Sequence, residues 1–117
     1  MELFLGAGDG TYAEFNFAPS GAWAAWRFSG YRSGRADLAV EPPAIRSTAS
    51  DVGFALDVAL ALPGGFAHAG AAMGLSAVVE ESDGTMSWWA LRHPEGDRPD
   101  FHHGDCFQAL LPPPGAA

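Results

Sequence analysis

Residues 51–62, DVGFALDVALAL, give the clearest indication of the fold. Every even position carries a large apolar residue, in the order Val52, Phe54, Leu56, Val58, Leu60 and Leu62. The odd positions carry only Asp, Gly or Ala. A helix would spread the six apolar residues around its circumference, whereas a β-strand places all of them on one face. The stretch therefore predicts a strand with one buried face, and the Pro-Gly-Gly that follows predicts its end.

Strand patterns also lie on both sides of this stretch. They cover residues 2–5, 11–17, 22–28, 74–81, 85–92 and 106–111. In the second of these segments Ala13, Phe15 and Phe17 share one face, which predicts a half-buried strand. Two Asp-Gly pairs, Asp9-Gly10 and Asp83-Gly84, are typical of hairpin turns, because glycine adopts the positive φ that such turns need.

The intervening residues 29–50 lack a clear period and contain several glycines and prolines. They are predicted as a long loop with one short strand near residues 44–47. Six or seven short strands, with turns about every ten residues and no helical period, predict an all-β antiparallel β-sandwich. A chain of 117 residues forms one domain at most. That domain is predicted over residues 1–111, and residues 112–117 are predicted as a disordered Pro-rich tail.

The charge and cysteine content narrow the expected partners and location. A net charge of −8 repels phosphate backbones and anionic lipid, so neither nucleic acid nor a membrane surface is an expected partner. No window approaches the roughly 18–20 apolar residues of a membrane span, and the first residues lack the pattern of a secretory signal. The single cysteine, Cys106, excludes an intrachain disulfide. A cytoplasmic location is the expectation that follows.

Two long blocks of the sequence resemble a known family. They are YAEFNFAPSGAWAAWRFSGYR at residues 12–32 and LSAVVEESDGTMSWWALRHPEGDRPDFHHGDCF at residues 75–107. Their most specific part is the ordered string WALRHP, PDFHH and CF. Together they resemble the bacterial DOMON-like domains, which are related to family 9 carbohydrate-binding modules. The resemblance implies a β-sandwich that binds a ligand, in the wider superfamily a sugar or haem.

The resemblance also implies that the chain lacks part of a complete domain. Family domains begin several strands earlier, and residues 2–5 resemble the middle of such a domain. The tryptophan-bearing segment that precedes this strand in the family is absent, and Ala18 stands where the family usually has serine. A sandwich without its first strands would expose an edge strand and part of its core, so self-association through that edge is expected.

A sugar site is the leading functional expectation. Pyranose C–H faces stack on aromatic rings, and sugar hydroxyls need carboxylate acceptors and guanidinium donors. By its position in the carbohydrate modules that the chain resembles, Glu2 is the expected acidic contact and Arg27 a looser match. The predicted ligand-binding residues are Glu2, Trp23, Arg27, Tyr31, Trp89 and His102. Trp88 and Trp89 are adjacent in a strand and point to opposite faces, so one is expected in the core and the other exposed or under a loop.

The alternative is a structural or protein-interaction sandwich that has no small ligand. In that interpretation Trp26, Trp88 and Phe28 only fill the core, and Glu2 is a solvated terminal acid. Catalysis is not expected, because Cys106 has no oriented base within reach along a strand. The GxGxG string at residues 6–10 is followed by a strand, which removes the helix N-terminus that a dinucleotide phosphate needs.

Haem and metal binding are weaker expectations. Axial haem ligands are typically Met and His, and the chain offers Met73, Met86, His68, His102 and His103, with no CxxCH for covalent attachment. Glu95, Asp97 and Asp100 form a carboxylate-rich loop that resembles a calcium site but lacks the EF-hand pattern. The favoured interpretation is a hydrogen-bonded loop in which His102 or His103 bonds to the backbone, so no cofactor is expected.

Overall fold

The structure, a computed structural model, describes residues 1–113 and consists mainly of β-strands. In chain order the strands are β1 (Glu2–Gly6), β2 (Tyr12–Phe17), β3 (Trp23–Phe28), β4 (Ala36–Asp37), β5 (Ala44–Ser50), β6 (Gly53–Ala59), β7 (Ala72–Glu80), β8 (Met86–Ala90) and β9 (Ala109–Leu110). Two single-turn 3₁₀ helices lie at Gly64–Phe66 and Gly104–Cys106. Across residues 1–113, no helix is long and apolar enough to cross a membrane. The predicted tail, residues 112–117, lies outside the described residues from position 114 onward.

Seven of the strands form one antiparallel sheet, the main sheet. Its order is β4-β3-β2-β1-β7-β8, and the short β9 pairs with β7 beside β8, on the side of β7 that faces away from β1. β5 and β6 form a separate antiparallel hairpin. Because this hairpin packs against the main sheet, the prediction of an all-β antiparallel β-sandwich is confirmed.

One face of the main sheet is covered by the β5–β6 hairpin, and we name it the hairpin face. Its buried residues are Leu5, Ala13, Phe15, Phe17 and Ala25, joined by Phe66 from the first 3₁₀ helix. Leu56 and Val58 from β6, with Leu60 and Leu62 after it, pack against this cluster. The apolar period of residues 51–62 therefore faces the main core, as the sequence predicts.

The other face is covered in part by the connection from β8 to β9, residues 91–108, and we name it the loop face. Phe4, Tyr12 and Phe28 form its buried cluster, together with Phe101 from the connection. The rings of Tyr12 and Phe28 stack with 4.9 Å between centroids. β2 is consequently buried on both faces, and the prediction of a half-buried strand is wrong. The strand pattern does not reveal that a distant loop closes its second face.

The apolar period of residues 51–62 fails at its first positions. Asp51 and Val52 form the hairpin turn, and Val52 is 97% exposed. Phe54 is 58% exposed, and β6 ends at Ala59. The predicted strand over residues 51–62 is therefore correct only in its middle, because the turn end of the hairpin has no element of the described chain to pack against.

Three further sequence predictions need correction. Residues 29–50 contain both β4 and β5, and β5 continues to Ser50 because it pairs residue by residue with β6. The strand predicted over residues 106–111 is shortened to β9, since Cys106 belongs to a 3₁₀ helix. Trp88 and Trp89 are 45% and 64% exposed, so neither lies in the core and the expectation that one would is wrong.

The contrast between Phe15 and Phe54 gives a direct test of this packing. We expect Phe15→Ala to lower the free energy of unfolding by about 3–5 kcal/mol, because it leaves a cavity in the main core. Phe54→Ala is expected to change it by less than about 1 kcal/mol, as for other exposed positions. Urea denaturation with linear extrapolation measures both values. Equal losses would show that the tip of the hairpin is packed and would contradict this description.

Candidate functional site

The loop face carries a buried hydrogen-bond network built around His102. The connection from β8 to β9 places this imidazole edge-on to the rings of Phe4 and Phe28, with 5.0 Å between centroids in each case. Nε2 of His102 lies 3.0 Å from Oε1 of Glu14. Nδ1 lies 2.8 Å from the hydroxyl oxygen of Tyr12. Both ring nitrogens therefore have partners on β2.

The direction of these hydrogen bonds follows from Tyr12. Its hydroxyl oxygen accepts a hydrogen bond from the backbone N–H of Arg32 at 3.1 Å, which leaves its own proton for donation to Nδ1 of His102. Every group is satisfied when His102 is neutral and its proton sits on Nε2, directed at Glu14. The Tyr12 side chain therefore links β2 to the connection, through His102, and to the turn after β3, through Arg32.

Glu14 is the acceptor at the end of this network. Burial alone would raise its pKa, but hydrogen bonds from His102 and from Asn16 outweigh burial and hold the pKa of Glu14 below its ordinary value. The bond from Nδ2 of Asn16 reaches Oε2 at 3.2 Å. Both carboxylate oxygens are therefore occupied by protein donors, and the side chain is only 8% exposed.

Arg32 is held in an unusual conformation beside the network. Within residues 1–113 it is the one non-glycine residue with positive φ, at 50°, a region that side chains other than Asn and Asp rarely adopt. Its Nε and Nη2 donate to Oδ1 of Asp100 at 3.1 and 2.7 Å, and the hydroxyl of Tyr31 donates to Oδ2. Burial would raise the pKa of Asp100, but the hydrogen bonds from Tyr31 and Arg32 lower it overall. The guanidinium is thereby fixed in position.

Glu2 differs from Glu14 because its carboxylate is only partly satisfied. It lies on the loop face, opposite Asn16 of β2 and Ser76 of β7. Ser76 donates to Oε2 at 3.1 Å, and no other side chain of residues 1–113 bonds to this carboxylate or forms an ion pair with it. Burial raises the pKa of Glu2, Glu14 raises it further, and the Ser76 hydrogen bond offsets part of the rise. One oxygen is left free to accept a hydrogen bond.

Two grooves meet at Glu2. The first groove has a volume of about 350 Å³ and the second groove about 410 Å³, both within the roughly 300–1,000 Å³ range of small-ligand sites. The first groove is lined by Met1, Glu2, Asn16, Phe17, Trp23 and Val78 among others. The second groove includes Glu2, Arg32, Val78, Trp88, Arg98 and His102. Glu2 and Val78 belong to both, so the grooves form one continuous depression.

The second groove combines an aromatic ring with charged groups. Trp88 shares the loop face with Glu2, because Val78 pairs with Trp88 and Ser76 pairs with Glu2. Arg98 lies on the connection and, within residues 1–113, forms no ion pair. In a chain with a net charge of −8, a guanidinium without a carboxylate partner at a groove is available to a ligand oxygen.

The structure places three of the six predicted site residues in the two grooves and a fourth beside them. Glu2 and His102 line the second groove, and Glu2 and Trp23 line the first groove, where Trp23 begins β3. Tyr31 stands beside the second groove, hydrogen-bonded to Asp100.

The remaining two predicted residues lie elsewhere. Arg27 is on the hairpin-face side of β3 and lines a separate groove of about 320 Å³ with Phe66. Trp89 is also on the hairpin face, and its indole N–H donates to Ser87 at 2.9 Å. Strand alternation separates both of these side chains from Glu2, so the predicted single grouping of all six residues is not found.

The histidines and the cysteine have local partners. Nδ1 of His103 accepts a hydrogen bond from the backbone N–H of Asp105 at 3.1 Å, so the prediction of a histidine bonded to the loop backbone is confirmed. The Cys106 thiol donates to the carbonyl oxygen of Asp100 at 3.2 Å, and burial raises the pKa of this thiol.

The groups considered for haem or metal are scattered. Met73 packs in the main core of the hairpin face, whereas both nitrogens of His102 are bonded to β2 on the opposite face. Among residues 1–113 no three His, Cys, Asp or Glu side chains are placed to hold a metal ion together. The carboxylates of Glu95 and Asp97 are exposed, and neither forms an ion pair with the cations of the described chain.

Trp88, Arg32, Arg98 and Glu14 are the site residues that the sequence prediction missed. The ligand-binding prediction names only Trp89, the neighbour of Trp88, and the structural alternative places Trp88 in the core. The hairpin turn at Asp83-Gly84 sets the register in which Val78 pairs with Trp88. Only the pairing of β7 with β1 shows that Trp88 lies on the same face as Glu2. The local sequence pattern does not predict this pairing between distant strands.

Comparison of the chain with protein-family models, with curated proteins and with solved structures finds no significant match in any of the three. The resemblance to DOMON-like domains and to family 9 carbohydrate-binding modules therefore stays a prediction.

Removal of one hydroxyl tests the His102 network. Tyr12→Phe keeps the ring but leaves Nδ1 of His102 and the N–H of Arg32 without their partner, which should cost about 1–3 kcal/mol of unfolding free energy. Tyr31→Phe, which removes an exposed hydroxyl, is the matched control and should cost less. Chemical denaturation of both variants at pH 7 makes the comparison. A smaller loss for Tyr12→Phe than for Tyr31→Phe would contradict the network.

The raised pKa of Glu2 predicts a stability change of unusual sign. In the folded state its pKa lies above the ordinary 4.5, so the ionised form destabilises the protein at neutral pH, and this cost disappears as pH falls through the folded pKa toward 4.5. Glu2→Gln should therefore raise the melting temperature by a few degrees at pH 7. The difference from the parent should shrink to near zero at about pH 4. A variant less stable than the parent at pH 7 would refute this account.

Proposed function

We propose that the chain is a non-catalytic module that binds a small polar ligand, specifically a saccharide, in the two grooves that meet at Glu2. The observation that carries the proposal is the Glu2 carboxylate, which is half-buried at the junction of the grooves and has one protein donor. A carboxylate in this position costs stability, and such costs are typical of residues retained for binding.

The lining of the second groove supports a saccharide. The exposed indole of Trp88 offers an apolar ring face for pyranose C–H groups, and Glu2 offers an acceptor for hydroxyl protons. Arg32 and Arg98 offer N–H donors to hydroxyl or ring oxygens. The clamp on Arg32 by Asp100 fixes this donor before a ligand arrives, which reduces the entropy lost on binding. The family resemblance implies the same class of ligand.

The carboxylates support binding without catalysis. Glycoside hydrolysis commonly uses two carboxyl groups, one on each side of the scissile bond. Glu2 and Glu14 both lie on the loop face, but both oxygens of Glu14 already accept hydrogen bonds from His102 and Asn16. One free carboxylate remains at the groove, which suits recognition of a hydroxyl.

The alternative is an interaction module without a small ligand, and one observation favours it. Beyond the β5–β6 hairpin, the hairpin face of β7 and β8 exposes Leu75, Val79, Trp89 and Leu91. An uncovered apolar surface of this kind is typical of a protein contact. The two classes predict different outcomes for the adjacent tryptophans.

The adjacent tryptophans provide matched variants for a binding experiment. Trp88→Ala and Glu2→Gln should each weaken binding at least about tenfold, a loss of ~1.4 kcal/mol. Trp89→Ala should leave affinity within about twofold of the parent, since ~0.4 kcal/mol separates such values and its ring is on the other face. Tryptophan fluorescence and calorimetric titration measure binding to neutral hexose oligomers, amino sugars and uronic acids.

The same experiment can overturn the proposal. Absence of binding to the whole sugar panel would favour the interaction module. Binding that is lost in Trp89→Ala and retained in Trp88→Ala would place the ligand on the hairpin face. A Soret shift on addition of haemin, abolished by His102→Ala, would instead favour the haem class.

A further inference from the structure

β8 forms the outer edge of the main sheet. On its inner side the ladder to β7 is fixed by two bonds outside the strand limits: Leu91 N–H to Leu75 C=O at 3.3 Å, and Glu81 N–H to Thr85 C=O at 2.8 Å. In an antiparallel ladder, residues of one parity bond to one neighbour. The odd residues of β8 therefore bond to β7, and the even residues Met86, Trp88 and Ala90 direct their N–H and C=O groups outward.

No strand of the described chain pairs with this outer side. β9 also lies on that side of β7, but it pairs with Ala72 and Met73, beyond the end of β8. The outward groups of Met86, Trp88 and Ala90 are thus available for a further strand. Edge strands of natural proteins are normally protected by short length, by charged residues or by proline.

β8 has none of these protections, in contrast to the opposite edge of the main sheet. β4, at that edge, is two residues long and includes Asp37, with Arg35 directly before it. β8 has the sequence MSWWA, with no charge and no proline over five residues. It is flanked by Thr85 and Leu91, which are also uncharged. Such an edge is a template for pairing with another chain.

We propose that β8 pairs antiparallel with β8 of a second copy of this chain, about a two-fold axis at Trp88. In this register Trp88 lies opposite Trp88 of the second copy, and Met86 lies opposite Ala90. In each opposed pair, the N–H and C=O groups of both residues point toward the other copy. Every free N–H and C=O of the three positions is therefore paired. A two-fold contact closes after two copies, which explains how so bare an edge avoids unlimited growth.

The charges at the two ends of β8 are complementary in this register. The turn before β8 carries Asp83, and Arg92 follows the end of β8. Antiparallel pairing sets Arg92 of each copy beside the turn that carries Asp83 of its counterpart. In a chain with net charge −8, this local attraction offsets general repulsion, whereas a parallel pairing would place like charges together.

The contact also joins the loop faces of the two copies. Trp88 lines the second groove, and the two-fold axis places the Trp88 rings of both copies side by side on that face. The two second grooves would then adjoin at the axis. Pairing itself uses backbone groups and requires no ligand, so failure of saccharide binding would leave this inference intact.

Proline at one outward position tests the pairing. Met86→Pro removes an N–H that bonds to nothing in the single chain, at the first position of a strand, where proline is tolerated. Met86→Ala keeps the N–H and is the matched control. In sedimentation velocity we expect the parent and Met86→Ala to be dimers and Met86→Pro to be a monomer with an unchanged circular dichroism spectrum.

Three sedimentation results would overturn the proposal. They are a monomeric parent up to its solubility limit, a Met86→Pro dimer as stable as the parent dimer, and species larger than a dimer. Trp89→Ser provides a second contrast, because it alters the hairpin face and leaves the β8 backbone unchanged. Dissociation by Trp89→Ser with retention of the dimer in Met86→Pro would show that copies associate through the hairpin face instead.

Disulfide trapping tests the register and does not depend on whether the proline variant folds. With the axis at Trp88, Ser87 of one copy lies opposite Trp89 of the other in a non-hydrogen-bonded pair, whose Cβ atoms are about 4.5–5.5 Å apart, close to disulfide geometry. A mixture of Ser87→Cys and Trp89→Cys should form a mixed disulfide under mild oxidation much faster than either variant forms one alone. Equal cross-linking in the separate variants would refute this register.

Discussion

The contact between Glu14 and His102 is the interaction on which the loop face depends. Glu14 occupies the strand that both cores share, and without a partner its charge would be buried on that strand. The imidazole supplies the partner from a residue 88 positions along the chain, and it carries the connection from β8 to β9 with it. The second groove exists only because the connection is held over the sheet at this point, so one buried polar pair positions the groove.

The two carboxylates on this face show how environment separates residues of the same type. Glu14 has donors for both oxygens and is stabilised as the anion, whereas Glu2 has one donor and a raised pKa. They lie on neighbouring strands, and Glu14, whose pKa is lowered, is the more deeply buried of the two, so the difference comes from hydrogen bonds and not from depth. The first therefore acts as a structural anchor, and the second is the group left with capacity for a ligand.

Most of the fold could be predicted from the two-residue period, and the failures have physical reasons. Alternation correctly places Phe15 and Phe17 on one face of β2, and Val58 on the face of β6 that packs against them. It succeeds there because it identifies which side chains of a strand are apolar and favour burial. Alternation does not show whether another element packs over those side chains, which is why Val52 was expected to be buried. The burial of β2 on both faces could not be predicted, because its second face is covered by a loop whose sequence has no period.

The candidate site was only partly predictable, because it is assembled by pairings between distant strands. Glu2 was predicted from the resemblance to carbohydrate-binding modules, but Trp88 joins it only through the ladder from β1 to β7 to β8. The adjacent Trp89 has the same composition signal and the opposite orientation. A shift of one residue in a strand exchanges its faces, so residue type alone could not decide which indole belongs to the groove.

The buried thiol of Cys106 has a consequence for the motion of this face. It is the single cysteine of the chain, and its hydrogen bond to the carbonyl of Asp100 ties the end of the connection to the segment that carries His102. A thiol reagent can reach this atom only when that segment lifts away from the sheet. The rate at which a thiol reagent labels Cys106 in the native protein therefore reports how often the loop face opens.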